Sequence, residues 1–195
     1  KEHMFINGEW VDSSDEQRMS VTNPATGDEI ATVPIATVSD VRKAIDSANT
    51  AQKEWAKYPP NERSRLLRNL YNLMIDHKEE LAYIMTLESG KVIKESRGEI
   101  DYSAGFVEWF SEEAKRTYGQ IIPSFKENKR IMVIKQPVGV AGIITPWNFP
   151  SAMITRKIAP AIAAGCTCVV KPSGYTPLSA LALGELILRA GIPEG

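Results

Sequence analysis

The sequence predicts an α/β fold in which a mainly helical amino-terminal part is followed by a small parallel sheet. Long stretches of the first 118 residues carry apolar side chains at the helical period. Two strongly apolar runs, 138–144 and 166–170, have the length of buried strands, and helical patterns follow them at 151–164 and 178–190. Strands that alternate with helices form parallel sheets with right-handed crossovers. The sequence therefore predicts a partial Rossmann-like parallel sheet with helices.

The composition indicates an ordinary globular protein without a polyanionic partner. Of the 195 residues, 43% are hydrophobic and 24% are charged, as in proteins that bury a core. The 23 basic and 24 acidic residues give a net charge of -1 without a basic block, which argues against nucleic acid or a membrane surface as the main partner. We find no cleavable signal and no uninterrupted apolar stretch of spanning length, so we expect a soluble, cytoplasmic protein.

The first elements are predicted to be a hairpin, an extended segment and a helix. Asn7-Gly8, between two apolar pairs, is typical of a two-residue hairpin turn. Residues 29–33 are expected to form a strand. The helical period begins at Ser39, which is available as the cap, and a proline pair ends it. The residues predicted to face inward from this helix are Val41, Ile45, Ala48 and Trp55.

Three further amphipathic helices are predicted before the sheet. Residues 62–77 and 78–88 are expected to form a helix pair that Gly90 ends. Residues 97–117 predict another long helix. The side chains expected to face inward are Leu66, Leu67, Leu70, Leu73 and Met74 in the first of these helices and Ile100, Ala104, Val107 and Phe110 in the last.

The two strands that follow these helices differ in kind. Residues 130–135 carry charges at both ends, as an exposed or edge strand does. Residues 138–144 are continuously apolar, which is typical of a strand covered on both faces. We therefore divide the chain into hairpins and helices at 1–118, a bridge with a protruding strand at 119–137, and the first half of the sheet at 138–195.

Two loops of the predicted sheet carry residues that a plain core does not need. The loops 145–150 and 171–176 follow the two buried strands, and they contain Trp147, Asn148, Lys171 and Ser173. In open parallel sheets, ligands bind in the crevice beyond the carboxyl ends of the strands. We therefore expect these two loops to form a ligand site.

The motifs in and around these loops resemble one enzyme family. The run "GVAGIITPWNFPSAMITRKIAPAIAAGCTCVVKPSGYTPLSALALGEL" resembles the coenzyme-binding core of the aldehyde dehydrogenase superfamily, with its "PWN(F/Y)P" turn and a "KP" turn one strand later. The stretches "LESGK", "GEI", "FVEWFSEEAKRTYGQIIP" and "KQPVGV" are also similar to the family, and most of all to its succinate-semialdehyde dehydrogenase branch. The resemblance covers essentially the whole chain.

The resemblance implies a catalytic role for Asn148. Family members oxidise an aldehyde through a cysteine hemithioacetal, and Asn148 matches the asparagine that stabilises the oxyanion of that adduct. An amide N–H held on a rigid turn between two prolines is the fixed dipole that such stabilisation requires. An alternative is that Asn148 only caps the helix that begins near Pro150.

The resemblance also implies a nicotinamide coenzyme, NAD or NADP. Ile144, Thr145, Pro146, Trp147 and Asn148 are expected to border it through backbone atoms, and Lys171 is expected to donate to a ribose. The alternative for Lys171 is a solvated lysine at a strand end.

The residues after this lysine bear on the choice between the two coenzymes. NAD-preferring members commonly have glutamate where this chain has Gly174. The missing carboxylate would leave Lys171 and Ser173 to meet a 2′-phosphate, which makes NADP plausible.

The substrate end is expected on the helix that starts beside Asn148. The resemblance implies that Arg156 holds the distal carboxylate of succinate semialdehyde, for which a guanidinium fork is suited. Met153 and Phe149 are expected to line the aldehyde site, although Phe149 and Trp147 could instead anchor the turn in the core. The neighbouring Lys157 is an alternative cation for this role.

The catalytic domain of the family is expected to be absent from this chain. Cys166 and Cys168 do not match the family's nucleophile and are predicted to be small packing residues. The general-base glutamate is also not matched, so we expect the 195 residues alone to be inactive. The other class of function is a non-catalytic nucleotide-binding or oligomer-joining module, with homo-oligomers formed through the 130–135 strand. The two histidines are isolated, and no metal site is predicted.

Overall fold

The computed structural model describes residues 2–195, and residue 1 of the predicted 1–118 segment lies outside the described residues. Within this range the strands are β1 (Met4–Ile6), β2 (Glu9–Val11), β3 (Arg18–Thr22), β4 (Glu29–Pro34), β5 (Gln120–Pro123), β6 (Arg130–Val133), β7 (Val140–Ile144) and β8 (Thr167–Lys171). The α-helices are α1 (Val38–Trp55), α2 (Pro60–Asp76), α3 (Lys78–Ser89), α4 (Ile93–Glu113), α5 (Ala152–Ala164) and α6 (Pro177–Arg189), and a 3-10 turn at Ala114–Arg116 follows α4. The α/β class is confirmed.

Two antiparallel hairpins open the described part of the chain. Strands β1 and β2 pair across Asn7 and Gly8, whose φ angles are 53° and 80°, so the predicted two-residue turn is confirmed. The predicted strand 29–33 is confirmed as β4, one residue longer. Its partner β3 was not foreseen. It presents Val21 to the core while polar residues alternate with it on the exposed face.

The cap and the inward face of α1 differ from the sequence prediction. Thr37, not Ser39, caps the helix: its hydroxyl accepts the Asp40 backbone N–H at 3.2 Å, and the Asp40 carboxylate accepts the Thr37 N–H at 3.0 Å. Ala48 and Trp55 are buried as predicted, but Val41 and Ile45 are exposed. The reason is that α1 meets the parallel sheet through its second half, where Ala48 O and Gln52 Oε1 bond to Thr167.

Helix α4 is the central helix, and α2, α3 and α5 pack against it. It begins at Ile93, four residues before the predicted start, and ends at Glu113 in a 3-10 turn. Of its predicted inward residues, Ile100, Ala104 and Val107 are buried and Phe110 is half-buried against the core. Gly90 ends α3 with a φ of 73°, as expected for a left-handed cap.

Strands β7 and β8 form the predicted parallel pair, with α5 between them in the chain and α6 after β8. The expectation that 138–144 is covered on both faces is wrong. Ile143 is buried, but Val138 is 94% and Ile144 is 77% exposed. The physical reason is that β7 pairs with β8 alone within residues 2–195, so its other edge is unpaired, and that Val138 precedes the strand.

The remaining hairpin, β5 with β6, is exposed along its whole length. The predicted exposed strand is confirmed for Arg130–Val133, and its partner Gln120–Pro123 was not foreseen. Outside this hairpin, one hydrophobic core joins the helical part to the parallel sheet, and it includes Leu67, Met85, Ile158 and Leu183. The segments 1–118 and 138–195 therefore share one core.

Candidate functional site

The two predicted loops begin side by side at the carboxyl ends of β7 and β8. Ile144 is paired in register with Lys171, and the Thr145 N–H donates to Lys171 O at 3.2 Å. This pairing extends the parallel ladder by one bond beyond β7. Such an edge is where ligands bind in open parallel sheets. The structure therefore brings the starts of the two predicted loops together at that edge.

The turn after β7 exposes its polar and aromatic side chains between two buried anchors. Thr145 and Pro150 are buried, whereas Trp147 is 57% exposed, and Asn148 and Phe149 are also exposed. Among residues 2–195, the Asn148 side chain makes no hydrogen bond. Ser151, not Asn148, occupies the cap position of α5, which has no side-chain cap. The alternative that Asn148 serves as the helix cap is therefore wrong.

The start of α5 is instead held by Glu99 from α4. Glu99 Oε1 accepts the backbone N–H groups of Ser151 at 3.0 Å and Ala152 at 3.2 Å. Its other oxygen, Oε2, pairs with the ammonium of Lys91. Sequence reasoning missed this residue. The available signal was a carboxylate next to Ile100 on the inward face of an amphipathic helix.

A second buried glutamate performs the same task for α6. Glu88 Oε2 accepts the Leu178 N–H at 2.7 Å, and Oε1 accepts the Ser179 N–H at 2.8 Å. Burial raises the pKa of Glu88 to about 7, although the bonds from Ser179 and Leu178 act in the opposite direction. This residue was also missed, although it lies three positions after the buried Met85 in α3.

The turn after β8 presents a lysine, a serine and a glycine. Lys171 is exposed and has no ion pair among residues 2–195. The Ser173 hydroxyl accepts the Tyr175 N–H at 3.2 Å, which fixes the turn. A Cβ on Gly174 would lie 3.0 Å from Cε and 3.4 Å from Sδ of Met19, because β3 packs under this turn. The glycine therefore has a packing reason as well as the predicted electrostatic one.

Arg156 is exposed on α5, and its guanidinium has no carboxylate partner among residues 2–195. Its central carbon lies 5.3 Å from the ring centroid of Phe106, and Nη1 lies 3.8 Å from Met153 Sδ. Lys157 is directed elsewhere, since its Nζ donates to Met153 O at 2.9 Å. Of the two neighbouring cations, Arg156 is the exposed one, whereas Lys157 is half-buried with its ammonium bonded to its own helix.

The cysteines are placed as packing residues. Strand β8 begins at Thr167, so Cys166 precedes the strand rather than lying within it. Both thiols are free, and burial raises the pKa of Cys168 to about 12, so it is not a thiolate at neutral pH. Within residues 2–195, no three His, Cys, Asp or Glu side chains are grouped as a metal site needs, and no helix has the length and apolarity to cross a bilayer.

The fold defines an α/β protein in which two loops meet at the carboxyl edge of a parallel strand pair. The sequence profile described as the aldehyde dehydrogenase family matches residues 10–195, and the chain belongs to this family.

The chain is similar over its whole length to enzymes with named semialdehyde substrates. It is 53% identical over 195 residues to the NADP(+) succinate-semialdehyde dehydrogenase of Escherichia coli, covering 100% of this chain and 40% of that one. It is 54% identical over 195 residues to a glutarate-semialdehyde dehydrogenase of Pseudomonas putida, covering 100% of this chain and 41% of that one. A crystal structure of an NADP-dependent enzyme from E. coli superposes with a TM-score of 0.98 at 53% identity, over 100% of this chain and 40% of that chain. The chain thus spans about 40% of the length of these relatives.

Proposed function

We propose that the polypeptide carrying this sequence oxidises an aldehyde to a carboxylic acid with NAD or NADP. The observation that carries the proposal is the unpartnered Asn148 amide on the turn after β7, beside the end of β8. Relatives named for succinate and glutarate semialdehydes support a substrate with a carboxylate at its far end. We take succinate semialdehyde as the substrate.

Asn148 acts as the donor to the oxyanion. When a cysteine thiolate adds to the aldehyde carbon, the carbonyl oxygen takes up the electron pair of the π bond and becomes negative. An amide N–H that is already in place stabilises this charge without reorganisation. Loss of one such donor typically lowers the rate by about a hundred- to thousand-fold.

Arg156 supplies the charge that selects the substrate. Its guanidinium has no carboxylate partner among residues 2–195 and is steadied over the Phe106 ring. A carboxylate can therefore accept two parallel N–H bonds from it without displacing a protein partner. Met153 lies beside this guanidinium and Phe149 lies in the turn, and both are proposed to line the aldehyde site.

The turn after β8 is proposed to hold the adenine nucleotide of the coenzyme. The exposed Lys171 and the hydroxyl of Ser173 fit a ribose or its 2′-phosphate, and Gly174 brings no carboxylate to repel that phosphate. The backbone of 144–148 is proposed to border the same coenzyme. When bound, the nicotinamide coenzyme accepts the hydride that leaves the aldehyde carbon. Relatives named as NADP-dependent support acceptance of NADP.

The nucleophile and the general base are proposed to lie outside residues 1–195. Cys166 and Cys168 do not match the family's nucleophile, so we expect the 195 residues alone to be inactive. The exposed β5–β6 hairpin supports assembly of homo-oligomers through residues 130–135. The same exposed edge supports the second candidate function, a non-catalytic module that joins other family members.

Reduction of NAD and NADP by the purified full-length polypeptide tests the proposal. We expect turnover with succinate semialdehyde and a much lower kcat/KM with butanal, which has the same carbon count but no carboxylate. No reduced coenzyme with either aldehyde would refute the enzyme assignment and favour the module. Equal kcat/KM for both aldehydes would refute the semialdehyde assignment alone.

A further inference from the structure

Glu99 joins α4 to the first turn of α5, directly after the Asn148 turn. Its Oε1 accepts the N–H groups of Ser151 and Ala152, and the residue is 4% exposed. The first N–H groups of a helix need acceptors from outside the helix, and α5 has no side-chain cap. A carboxylate that reaches these groups in a buried setting, with little competing water, holds them firmly.

Lys91 connects the same carboxylate to the turn itself. Its Nζ pairs with Glu99 Oε2 and lies 4.3 Å from the ring centroid of Phe149. An ammonium at this distance is attracted to the face of an aromatic ring. The residue that follows Asn148 and the helix that comes after it are therefore fixed through one ion pair.

A buried hydroxyl cluster fixes the rotation of α5 against α4. The Ser103 hydroxyl lies 2.6 Å from the Ser151 hydroxyl and 3.0 Å from that of Thr155. All three residues are buried. The first turn of α5 thus meets α4 through its backbone and through its side chains.

The geometry points to Glu99 as the positioning residue for Asn148. The inference rests on the proposed function, which gives the Asn148 amide its task. That amide makes no hydrogen bond among residues 2–195, so its direction depends on the backbone on either side. Thr145 fixes one side through the sheet, and Glu99 fixes the other at Ser151. A misplacement of about 1 Å at such a donor can lower a rate by roughly a hundred-fold.

The predicted signature is a loss of kcat without a loss of coenzyme binding. Glu99→Ala removes both acceptor bonds and the partner of Lys91, so we expect kcat to fall by about ten- to a hundred-fold. The KM for coenzyme should stay within about three-fold, because the β8 turn lies outside this network and residues 144–145 stay fixed by the sheet bond from Thr145 to Lys171. Glu99→Gln keeps one acceptor oxygen but loses the ion pair, and its kcat should lie between those of the parent and Glu99→Ala.

Glu88→Ala is the matched control. Glu88 is also a buried glutamate that accepts two N–H groups at a helix start, but it serves α6 and does not follow Asn148. We expect its kcat to stay much closer to that of the parent. If Glu88→Ala and Glu99→Ala lower kcat equally, the effect is a general loss of buried carboxylates and the inference is overturned.

A double-mutant cycle separates positioning from general destabilisation. If Glu99 acts through Asn148, Glu99→Ala should lower kcat little further once Asn148→Ala is present, since the positioned donor is already gone. An equal fold-reduction in both backgrounds would mean that Glu99 acts independently of Asn148, and the inference would be wrong.

Hydrogen exchange gives a readout that does not need activity. In the full-length polypeptide, Glu99→Ala should speed amide exchange across residues 147–152 while exchange in α2 stays unchanged. If exchange in α2 also rises, Glu99→Ala has loosened the whole core, and the milder variant Glu99→Gln is measured in its place. Unchanged exchange across 147–152 in both variants would overturn the positioning role. If the parent protein does not oxidise the aldehyde, the proposed function is refuted. The exchange measurement then decides by itself whether Glu99 positions the Asn148 turn.

Discussion

Glu88 is expected to make the stability of the protein depend on pH in the neutral range. Burial raises its pKa to about 7 from an ordinary value of 4.5, with a smaller contribution from the nearby charge of Glu99. The folded state therefore holds a proton between these two values that the unfolded state has released. Because the folded state binds more protons in this window, the free energy of unfolding falls as the pH rises from about 4.5 to 7.

The size of the effect follows from the two pKa values. At about 1.4 kcal/mol for each pH unit between 4.5 and about 7, ionisation of Glu88 costs at most roughly 3.5 kcal/mol of stability. Glu88→Gln replaces the carboxylate with a neutral amide of the same shape, which cannot ionise and keeps one acceptor oxygen for Leu178 or Ser179. At low pH the parent should be the more stable of the two, and the difference should narrow or reverse as the pH rises to 7, because only the parent loses stability.

Denaturant unfolding of both proteins over this pH range measures the difference, and an NMR titration of the Glu88 carboxyl measures its pKa directly. Glu127→Gln provides a control, because the same chemical change is made at an exposed glutamate between β5 and β6. The reasoning is refuted if the Glu88→Gln and parent curves keep a constant separation from acid to neutral pH, or if the Glu88 carboxyl titrates near its ordinary value.

Three further outcomes concern the proposed site, each in the full-length polypeptide. Asn148→Ala should lower kcat by about a hundred- to thousand-fold with little change in coenzyme KM, and a change of less than about three-fold would exclude the oxyanion role. Arg156→Ala should raise the KM for succinate semialdehyde but not for butanal, and Lys157→Ala serves as its neighbour control. Gly174→Glu should lower the NADP/NAD specificity ratio. Gly174→Gln, whose side chain meets Met19 equally, should leave that ratio unchanged. Equal ratios in the two variants would mean that the glycine is required by packing and not by the charge of the coenzyme.

Local patterns were enough to predict the parallel pair and its two loops. Each signal lies within a few residues of sequence: the apolar runs of β7 and β8, and the prolines of the turn after β7. The hairpin at Asn7-Gly8 was found for the same reason, because a two-residue turn with positive φ has a strong local signature. The placement of the proposed site at the ends of β7 and β8 then followed from a general rule of parallel sheets.

The missed features depend on contacts between distant parts of the chain. Glu99 meets Ser151 across 52 positions, and Glu88 meets Leu178 across 90. A single sequence shows a charged residue on an apolar helix face but not the backbone N–H group that it serves. The prediction of the inward-facing residues of α1 was partly wrong for the same reason, because the point at which α1 meets β8 decides which of its apolar residues are buried.

The placement of Met19 means that the second hairpin of the chain supports the turn that contains Gly174. The Met19 thioether lies next to Gly174, so the β3–β4 hairpin packs against the turn proposed to hold the nucleotide. A long, unbranched side chain adapts its shape readily, and it can yield when a larger group arrives above it. A substitution at Met19 can therefore change the shape of this turn from more than a hundred residues away, without changing any residue proposed to contact the coenzyme.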